Sequence, residues 1–380
     1  VFTKKCTTYF KRYTDEYFDP VVQFNENRRL SLVESANGKR YVFYRGDNGQ
    51  IYHFSSTMTS KSWLETAVYL PKGAPSIVGN PAAYSLASGK LIVVYRGRDG
   101  DLHELTAYMQ DQGLSQWSYS NLSSTLTLPP AVNDPTVIVA DGTPHVFYLD
   151  KNLQPQELWL NSVWHHHPLP VAPRPGGDIT ATASAGGIYV TYRTVFGAPC
   201  TQRLARKDQR GGKRSWQHEL VLQVPAAGTP AGLMADGKRR GNLRPGKVGP
   251  LRQPYVFHWD GPQGKGYQDY KGSRVGLIEA REQRHRFCHL QPITSPSGHA
   301  AGNPIVLSNA RQNRHYVTYR DSRGHLQEAY LSHDHNSDEW HIQDITRLSK
   351  APAAMRDPVG MTLPTGNQRY YIYWGVDKKL

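Results

Sequence analysis

Short apolar runs alternate along this chain with turns rich in glycine, asparagine and aspartate, and one such unit recurs. Its first two clear copies are Tyr41–His53 (YVFYRGDNGQIYH) and Ile92–Glu104 (IVVYRGRDGDLHE). In each copy a β-branched and aromatic run leads into a tight-turn signal, after which apolar and polar residues alternate. Because glycine and asparagine tolerate positive φ, each copy predicts a β-hairpin. The 3.6-residue periodicity of a helical solenoid is missing.

Five further copies keep the same phase: Val146–Glu157, Tyr189–Arg193, Tyr255–Asp260, Tyr316–Glu328 and Tyr371–Asp377. The ring position within the unit is taken to be Tyr44, Tyr95, Tyr148, Tyr192, His258, Tyr319 and Trp374. Most copies follow a proline-containing start such as Asn80-Pro81 or Asp134-Pro135, and most precede a tryptophan: Trp63, Trp117, Trp164, Trp216 or Trp340. Three marks in one phase predict an internal repeat.

Four short strands in a unit of about 50 residues are typical of a propeller blade. The predicted fold is therefore all-β, a seven-bladed β-propeller of four-stranded antiparallel blades that forms a single domain over residues 1–380. The predicted blades are 28–75, 76–130, 131–172, 173–226, 227–297, 298–350, and 351–380 together with 1–27. Few residues follow Trp374, so the strand-like segment Lys4–Tyr13 is expected to complete the last blade and close the ring.

The net charge is +14, with 45 lysines and arginines against 31 aspartates and glutamates. Part of the excess lies in two basic runs, 203–214 and 237–247, which are either solvated loops or a surface for an anionic polymer. Neither run is interleaved with aromatic residues as a nucleic-acid motif would be. No stretch reaches the roughly 20 apolar residues of a membrane span, so no transmembrane segment is predicted.

Residues that suggest other chemistry do not form a complete site. The cysteines at 6, 200 and 288 are odd in number and widely spaced, so free thiols are expected. Three consecutive histidines, His165–His167, would point to alternating faces of a strand and could not all bind one metal. The sialidase repeat, the Gly-x-Ser-x-Gly elbow and phosphate-binding loops are missing. No cofactor or metal is predicted, and an enzyme is disfavoured.

The unit aromatic-Arg-Gly-x-Asp-Gly-x-Leu-His-Glu, followed by tryptophan, resembles the repeat of seven-bladed bacterial lectins of the Photorhabdus type and, more distantly, of six-bladed fungal fucose lectins. This resemblance implies shallow sugar sites between adjacent blades, each with an aromatic wall and polar groups. Tyr41 stands where the fungal lectins carry arginine. The resemblance implies these ligand-binding residues: Tyr44, Arg45, His53, Tyr95, Arg96, His103, Glu104, Trp117, Tyr319, Arg320, His325, Glu328 and Trp340.

The predicted function is a non-catalytic, multivalent lectin that binds glycans or glycoproteins outside the cell, a location inferred from that function alone. An aromatic ring stacks on the apolar face of a sugar, while arginine and glutamate bind its hydroxyls. Several weak sites gain by avidity. Three alternatives remain open. The repeated residues instead hold neighbouring blades together, or the chain is a scaffold that binds protein or an anionic polymer through its basic loops, or it is a propeller glycosidase.

Overall fold

The computed structural model describes residues 30–376, with gaps at 36–37, 58–62, 111–112, 171–173, 185–186, 196–198, 206–215, 222–230, 237–251, 260–276, 284–286, 294–300, 310–313, 335–336 and 363–368. Some strand residues between 184 and 362 are described by their backbone alone. The predicted closing segment Lys4–Tyr13 and almost all of both basic runs lie outside the described residues.

The described residues form seven antiparallel sheets in chain order. Sheet 1 contains β1 (Ser31–Glu34), β2 (Arg40–Arg45), β3 (Ile51–Ser56) and β4 (Leu64–Ala67). Sheet 2 contains β5 (Ala82–Ser85), β6 (Lys90–Arg96), β7 (Leu102–Gln110), β8 (Gly113–Leu114) and β9 (Ser118–Asn121), of which β8 and β9 both pair with β7. Sheet 3 contains β10 (Thr136–Ala140), β11 (Thr143–Leu149), β12 (Pro155–Asn161) and β13 (Val163–Pro168).

The later sheets continue the pattern. Sheet 4 contains β14 (Pro175–Ser184), β15 (Gly187–Thr194), β16 (Pro199–Ala205) and β17 (Trp216–Val221). Sheet 5 contains β18 (Ala231–Asp236), β19 (Arg252–Trp259), β20 (Leu277–Gln283) and β21 (Phe287–Ile293). Sheet 6 contains β22 (Ile305–Asn309), β23 (Arg314–Arg320), β24 (Leu326–Asp334) and β25 (Ser337–Asp344), and sheet 7 contains β26 (Val359–Thr362) and β27 (Arg369–Ile372). Two single-turn helices, α1 (Leu122–Leu126) and α2 (Ile345–Ser349), follow sheets 2 and 6.

The predicted all-β class is confirmed. Each predicted blade range contains one of these sheets, and up to sheet 6 the sheets have at least the four expected strands. Residues 24–179 form one compact unit with sheets 1–3, and the residues from 180 onward belong to a second unit with sheets 5–7 and most of sheet 4. The closed seven-bladed ring stays a prediction. No helix in the described part of the chain is long and apolar enough to cross a membrane.

The hairpin between the second and third strands has a fixed turn geometry, which explains the glycine of the repeat. Gly49, Gly100 and Gly324 have φ of 74°, 83° and 84°, a region that glycine enters without the Cβ penalty. In each turn the amide of this residue donates to the carbonyl oxygen three residues earlier. In sheet 3 the same place is held by Leu153, which adopts φ of 60°.

Sheets 1, 2 and 3 pack face to face, so their central strands are buried on both sides. On β6, Leu91, Val93 and Tyr95 pack in the cluster that includes residues of sheet 1. Ile92 and Val94, on the opposite face, pack in the cluster that includes residues of sheet 3. Because both faces are covered, the strand is a continuous apolar run rather than an alternating one.

The seventh copy of the repeat is shifted by one residue from the predicted alignment. The Tyr373 hydroxyl donates to the carbonyl oxygen of Pro352 at 2.8 Å, as that of Tyr95 donates to Pro75 at 3.1 Å. Tyr373 therefore holds the tyrosine position, and Trp374 takes the arginine position. The assignment of Trp374 as the repeated ring is wrong, because two aromatic residues, Tyr373 and Trp374, stand side by side in this copy and no arginine follows the tyrosine to fix the phase.

Candidate functional site

The tyrosines predicted to stack on sugar lie inside the sheets. Tyr44 stacks between Tyr52 and Phe54, with ring centroids 5.6 and 5.5 Å away. Tyr95 and Tyr319 have at most 1% of their surface exposed, and burial raises the pKa of both hydroxyls. A ring buried to this degree presents no face to a ligand, so these tyrosines pack the sheets in this structure.

The predicted arginines lie where one sheet connects to the next. Arg96 Nη2 is 3.4 Å from Asp134 Oδ1, and Arg320 Nε is 3.7 Å from Asp357 Oδ1. Both aspartates belong to the Asp-Pro pair that opens the following sheet. Arg45 is half-buried at the equivalent position of sheet 1. Arg96 and Arg320 therefore tie consecutive sheets together, while 22% of each side chain stays exposed.

The predicted histidines contact groups of the protein itself. His53 is buried among aromatic rings, and this burial lowers its pKa to about 4, so the imidazole is neutral at physiological pH. His103 is fully buried, with Nε2 2.9 Å from Asp99 Oδ1. His325 Nδ1 lies 2.7 Å from Asp344 Oδ2, and Asp344 also caps the N-terminus of α2.

The tryptophans that follow the repeats reach toward the preceding sheet. Trp117 of sheet 2 packs perpendicular to the Phe43 ring of sheet 1, with ring centroids 6.1 Å apart. Trp164 of sheet 3 donates its indole N–H to Glu104 Oε2 of sheet 2 at 2.9 Å. The backbone of Trp340 pairs with Leu331, but its side chain lies outside the described residues.

Strand alternation separates residues that the sequence placed in one site. Tyr95 lies opposite His103, and the next pair along is Val94 with Glu104. Neighbouring residues of a strand point to opposite faces, so Tyr95 and His103 face sheet 1 whereas Glu104 faces sheet 3. The predicted set around Glu104 is therefore divided between two faces of sheet 2.

Glu328, the repeat equivalent of Glu104 in sheet 6, is fully buried and has four donors. Gln343 Nε2 and Arg369 Nη2 donate to Oε1 at 2.6 and 2.9 Å, while Arg369 Nε donates to Oε2 at 2.8 Å. The Tyr371 hydroxyl also donates to Oε2. An ionised carboxylate accepts about four hydrogen bonds, so the protein itself saturates Glu328.

Glu104 accepts only two of these bonds within the described part of the chain. Trp164 Nε1 donates to Oε2, and Thr106 Oγ1 donates to Oε1 at 3.2 Å. About two acceptor positions of the carboxylate are left for another partner. Glu104 also retains 8% of its surface, whereas Glu328 has none.

The surroundings of Glu104 combine hydroxyl groups with aromatic rings. Ser120 lies opposite Glu104, and Ser118 lies opposite Thr106, so the four side chains share one face. Both serines are exposed, the Trp164 indole is half-buried, and Tyr108 further along β7 is 54% exposed. We name this surface the Glu104 patch, defined by Glu104, Thr106, Ser118, Ser120 and Trp164.

Sequence reasoning found Glu104 but did not assign the other four members of the patch to the site. Trp164 is one of the tryptophans that follow the repeat units. Its position in the repeat does not show that its side chain contacts the face of sheet 2 that carries Glu104. Thr106 and Tyr108 follow Glu104 at two-residue steps, a spacing that places them on its face of the strand. That spacing is the signal that was available in the sequence.

Two histidines and a cysteine that suggested other chemistry pack within the protein. His165 stacks on Trp159 at 5.1 Å, and His166 Nε2 lies 2.8 Å from Gln156 Oε1. Over the residues that the structure describes, no group of three or more His, Cys, Asp or Glu side chains is placed to hold a metal ion. Cys200 is a buried free thiol, and burial raises its pKa to about 11.

Comparisons of sequence give no relative: no family model and no curated protein matches this chain. Comparison with solved structures does find similar proteins. The BP39L lectin of Burkholderia pseudomallei matches with a TM-score of 0.59 at 14% identity, over 93% of this chain and 94% of the lectin. A variant of the Aleuria aurantia lectin in complex with Fucα1-6GlcNAc matches with a TM-score of 0.51 at 16% identity, over 85% and 96% of the two chains.

The same lectin variant in complex with α-methyl-L-fucoside gives the same TM-score. The Aleuria lectin is a six-bladed β-propeller. The predicted resemblance to β-propeller lectins is thus confirmed at the level of the fold.

Proposed function

We propose that this chain is a non-catalytic carbohydrate-binding propeller and that the Glu104 patch is its working sugar site. The observation that carries the proposal is a carboxylate on which the described residues fill two of about four acceptor positions, beside a half-buried indole. The lectin fold supports a sugar as the ligand class. From the proposed lectin role we also infer that the protein acts outside the cell that makes it.

The patch offers what a pyranose needs. The apolar face of a sugar packs on an aromatic ring, and Trp164 supplies one that its bond to Glu104 holds in place. Two adjacent sugar hydroxyls donate to the remaining positions of Glu104. The Ser120 hydroxyl can donate and accept, whereas Ser118 Oγ, which donates to the Thr106 carbonyl oxygen, accepts from a sugar hydroxyl. Hydrogen bonds to a charged group contribute about 1.5–3 kcal/mol each, enough for weak but selective binding.

The copies of the repeat are not equivalent in this proposal. Glu328 has no acceptor position left, and Arg369 and Tyr371 occupy the space where sugar hydroxyls would bind. We infer that the junction of sheets 6 and 7 is a structural contact rather than a sugar site. The number of working sites is then smaller than the number of copies, which lowers the gain from avidity.

A glycan array, followed by calorimetry with the best glycan, tests the proposal. Glu104→Gln keeps an oxygen for Trp164 but loses the second carboxylate oxygen, and we expect affinity to fall about ten- to hundredfold. Asp141→Asn, the same chemical change on an exposed turn of the same unit, is the matched control and should bind as the parent does. Binding to no glycan, or equal affinity for Glu104→Gln and parent, would overturn the proposal.

The array is run at low and high salt to separate two kinds of ligand. Binding of a neutral sugar at the Glu104 patch should barely change with ionic strength, because the contacts are short and partly buried. Binding of a sulfated polymer through the runs 203–214 and 237–247 would weaken steeply. A steep salt dependence that Glu104→Gln leaves unchanged would favour the anionic-polymer alternative.

The proposal extends to the architecture. We infer seven blades in one ring, with Lys4–Tyr13 supplying outer strands for sheet 7, because that sheet has two strands in the described part of the chain and the others have at least four. Deleting residues 1–13 should then lower the melting temperature and promote association through the exposed strand edge. An unchanged melting curve would contradict the closed ring.

A further inference from the structure

We propose that the Glu104 patch continues along β7 to Tyr108 and takes a linear oligosaccharide of at least two rings, with Tyr108 as the platform for the second ring. The inference rests on the proposed function, since it extends the same site. It adds a ligand length and a second aromatic contact, neither of which the repeat pattern specifies.

The geometry of β7 sets the direction and the distance. The pairing of β6 with β7 is regular from Arg96 opposite Leu102 to Lys90 opposite Tyr108. Without a shift in register, Glu104 and Tyr108 lie on the same face, and four residues of strand separate their Cα atoms by about 13 Å. That distance exceeds one pyranose ring, so a single sugar bound to Glu104 would leave Tyr108 uncovered.

The surface between the two ends suits a neutral carbohydrate chain. Thr106 lies midway on β7, and Ser118 lies opposite it on β9. Their hydroxyls carry no charge. Thr106 Oγ1 donates to Glu104 Oε1 and Ser118 Oγ donates to the carbonyl oxygen of Thr106, so both keep lone pairs that accept from sugar hydroxyls. The patch thus runs from a carboxylate and an indole, past two hydroxyls, to an exposed phenol ring.

The backbone at Tyr108 is fixed, while its ring is left exposed. Ser115 Oγ accepts the amide of Tyr108 at 2.8 Å, and the Ser115 amide donates to the Tyr108 carbonyl oxygen at 2.8 Å. Ser115 directly follows β8, the short strand that pairs with the end of β7 past the stretch that pairs with β9. The ring remains 54% exposed on an ordered strand, a placement that preorganises a binding platform.

The repeat does not require an aromatic residue at this place. The residue four positions after the glutamate position is Thr57 in sheet 1, Asn161 in sheet 3 and Ser332 in sheet 6. None of these side chains is aromatic, and Ala205 holds the equivalent place in sheet 4, so the strand does not require a ring there. The large aromatic occurs in the copy that carries Glu104, on which the described residues fill two acceptor positions.

The experiment measures how affinity depends on chain length. Calorimetry measures the affinity of the parent and of Tyr108→Ser for sugars of different length in two series. The first series compares α-methyl-L-fucoside with Fucα1-6GlcNAc. The second compares methyl N-acetylglucosaminide with its β1-4 oligomers of two to four rings. We expect the parent to bind the longer members about tenfold more tightly than the one-ring member. Tyr108→Ser should remove that gain and leave one-ring affinity unchanged.

Tyr108→Phe is the matched control, because it keeps the stacking ring and should keep the gain. The melting temperature of Tyr108→Ser should equal that of the parent, since the ring is exposed. Two results would overturn the inference: equal affinity of the parent for one-ring and longer sugars, or a gain with length that survives in Tyr108→Ser. In either case the proposed function would still stand if Glu104→Gln weakens the binding of one-ring sugars. Binding of none of the probes, nor of any glycan on the array, would overturn both.

Discussion

Replacing Arg369 with methionine would remove the two charged hydrogen bonds that Glu328 receives from the neighbouring sheet. The same change removes the guanidinium from above the Tyr316 ring, where Cζ lies 3.8 Å from the ring centroid. Methionine keeps most of the apolar stem, so the perturbation is chiefly the loss of charge and hydrogen bonding. Glu328, with 1% of its side chain exposed, would be left as a buried carboxylate with two neutral donors.

The expected cost follows from the burial of the pair. Removing one partner of a buried ion pair typically costs about 3–5 kcal/mol, and the 20% exposure of Arg369 points to the lower end. At about 2.1 cal/mol/K per residue, the unfolding entropy of 380 residues is about 0.8 kcal/mol/K, so about 3 kcal/mol lowers the melting temperature by about 4 °C. The shift would be larger if the second unit unfolds on its own.

Urea unfolding and calorimetric melting would measure this effect. Arg347→Met, at an exposed position of α2, is the control and should change the free energy of unfolding by no more than about 0.5 kcal/mol. The double variant with Glu328→Gln should recover part of the loss, because the unpaired charge is gone. Equal melting temperatures for Arg369→Met and Arg347→Met would show that the bonds from Arg369 to Glu328 do not stabilise the fold. Full occupancy of the Glu328 carboxylate could then not explain why this junction differs from the Glu104 patch.

Three further changes test other parts of the structure. Because the pKa of His53 is about 4 in the fold against 6.5 ordinarily, the unfolded state binds more protons below pH 6.5. Stability should therefore fall by about 3 kcal/mol as the pH drops to 4, and His53→Gln should reduce this loss in urea titrations at several pH values. Gly79→Ala should cost at least 2 kcal/mol more than Gly89→Ala, since both have positive φ but only at Gly79 would a Cβ lie 1.8 Å from a carboxylate oxygen; equal melting shifts would contradict this. Tyr95→Phe should lower the free energy of unfolding by about 1 kcal/mol, because the hydrogen bond to Pro75 is lost, and should leave glycan affinity unchanged. Weaker glycan binding by this variant would show that Tyr95 belongs to the sugar site.

The sheets were predictable because their signals are local. A β-branched run, a turn glycine and a returning strand all lie within about a dozen residues, as in Tyr41–His53, and the turn glycine adopts the positive φ that the pattern required. The one error of phase, at Trp374, arose where the local signal was incomplete. In the last copy Tyr373 is followed by Trp374 instead of arginine, so two adjacent rings give the same local signal.

The site was harder to predict because its residues come from two sheets and their state depends on neighbours. Glu104 and Glu328 occupy the same place in the repeat, and no local pattern distinguishes them. What separates them is a partner from the following sheet: a single indole N–H for Glu104, but a guanidinium and a phenol for Glu328. Such contacts are set by packing across sheets, which a repeat alignment does not contain.

The aromatic and basic residues of the repeat show the same limit. A tyrosine followed by arginine is compatible with a sugar site and with a contact that holds sheets together, and the sequence left both open. In the structure, Tyr95 is buried and Arg96 pairs with Asp134, so this copy uses them for sheet-to-sheet contacts. Burial, which a repeat does not report, decides between the two roles.

The most direct measurement of the central claim is a crystal structure of the chain bound to the glycan that ranks highest on the array. We predict a sugar ring packed on Trp164, with two hydroxyl oxygens about 2.5–3.0 Å from the Glu104 carboxylate. A sugar bound instead at the junction of Glu328 and Arg369, or beside Arg45, Arg96 or Arg320 with the Glu104 patch uncovered, would contradict the claim.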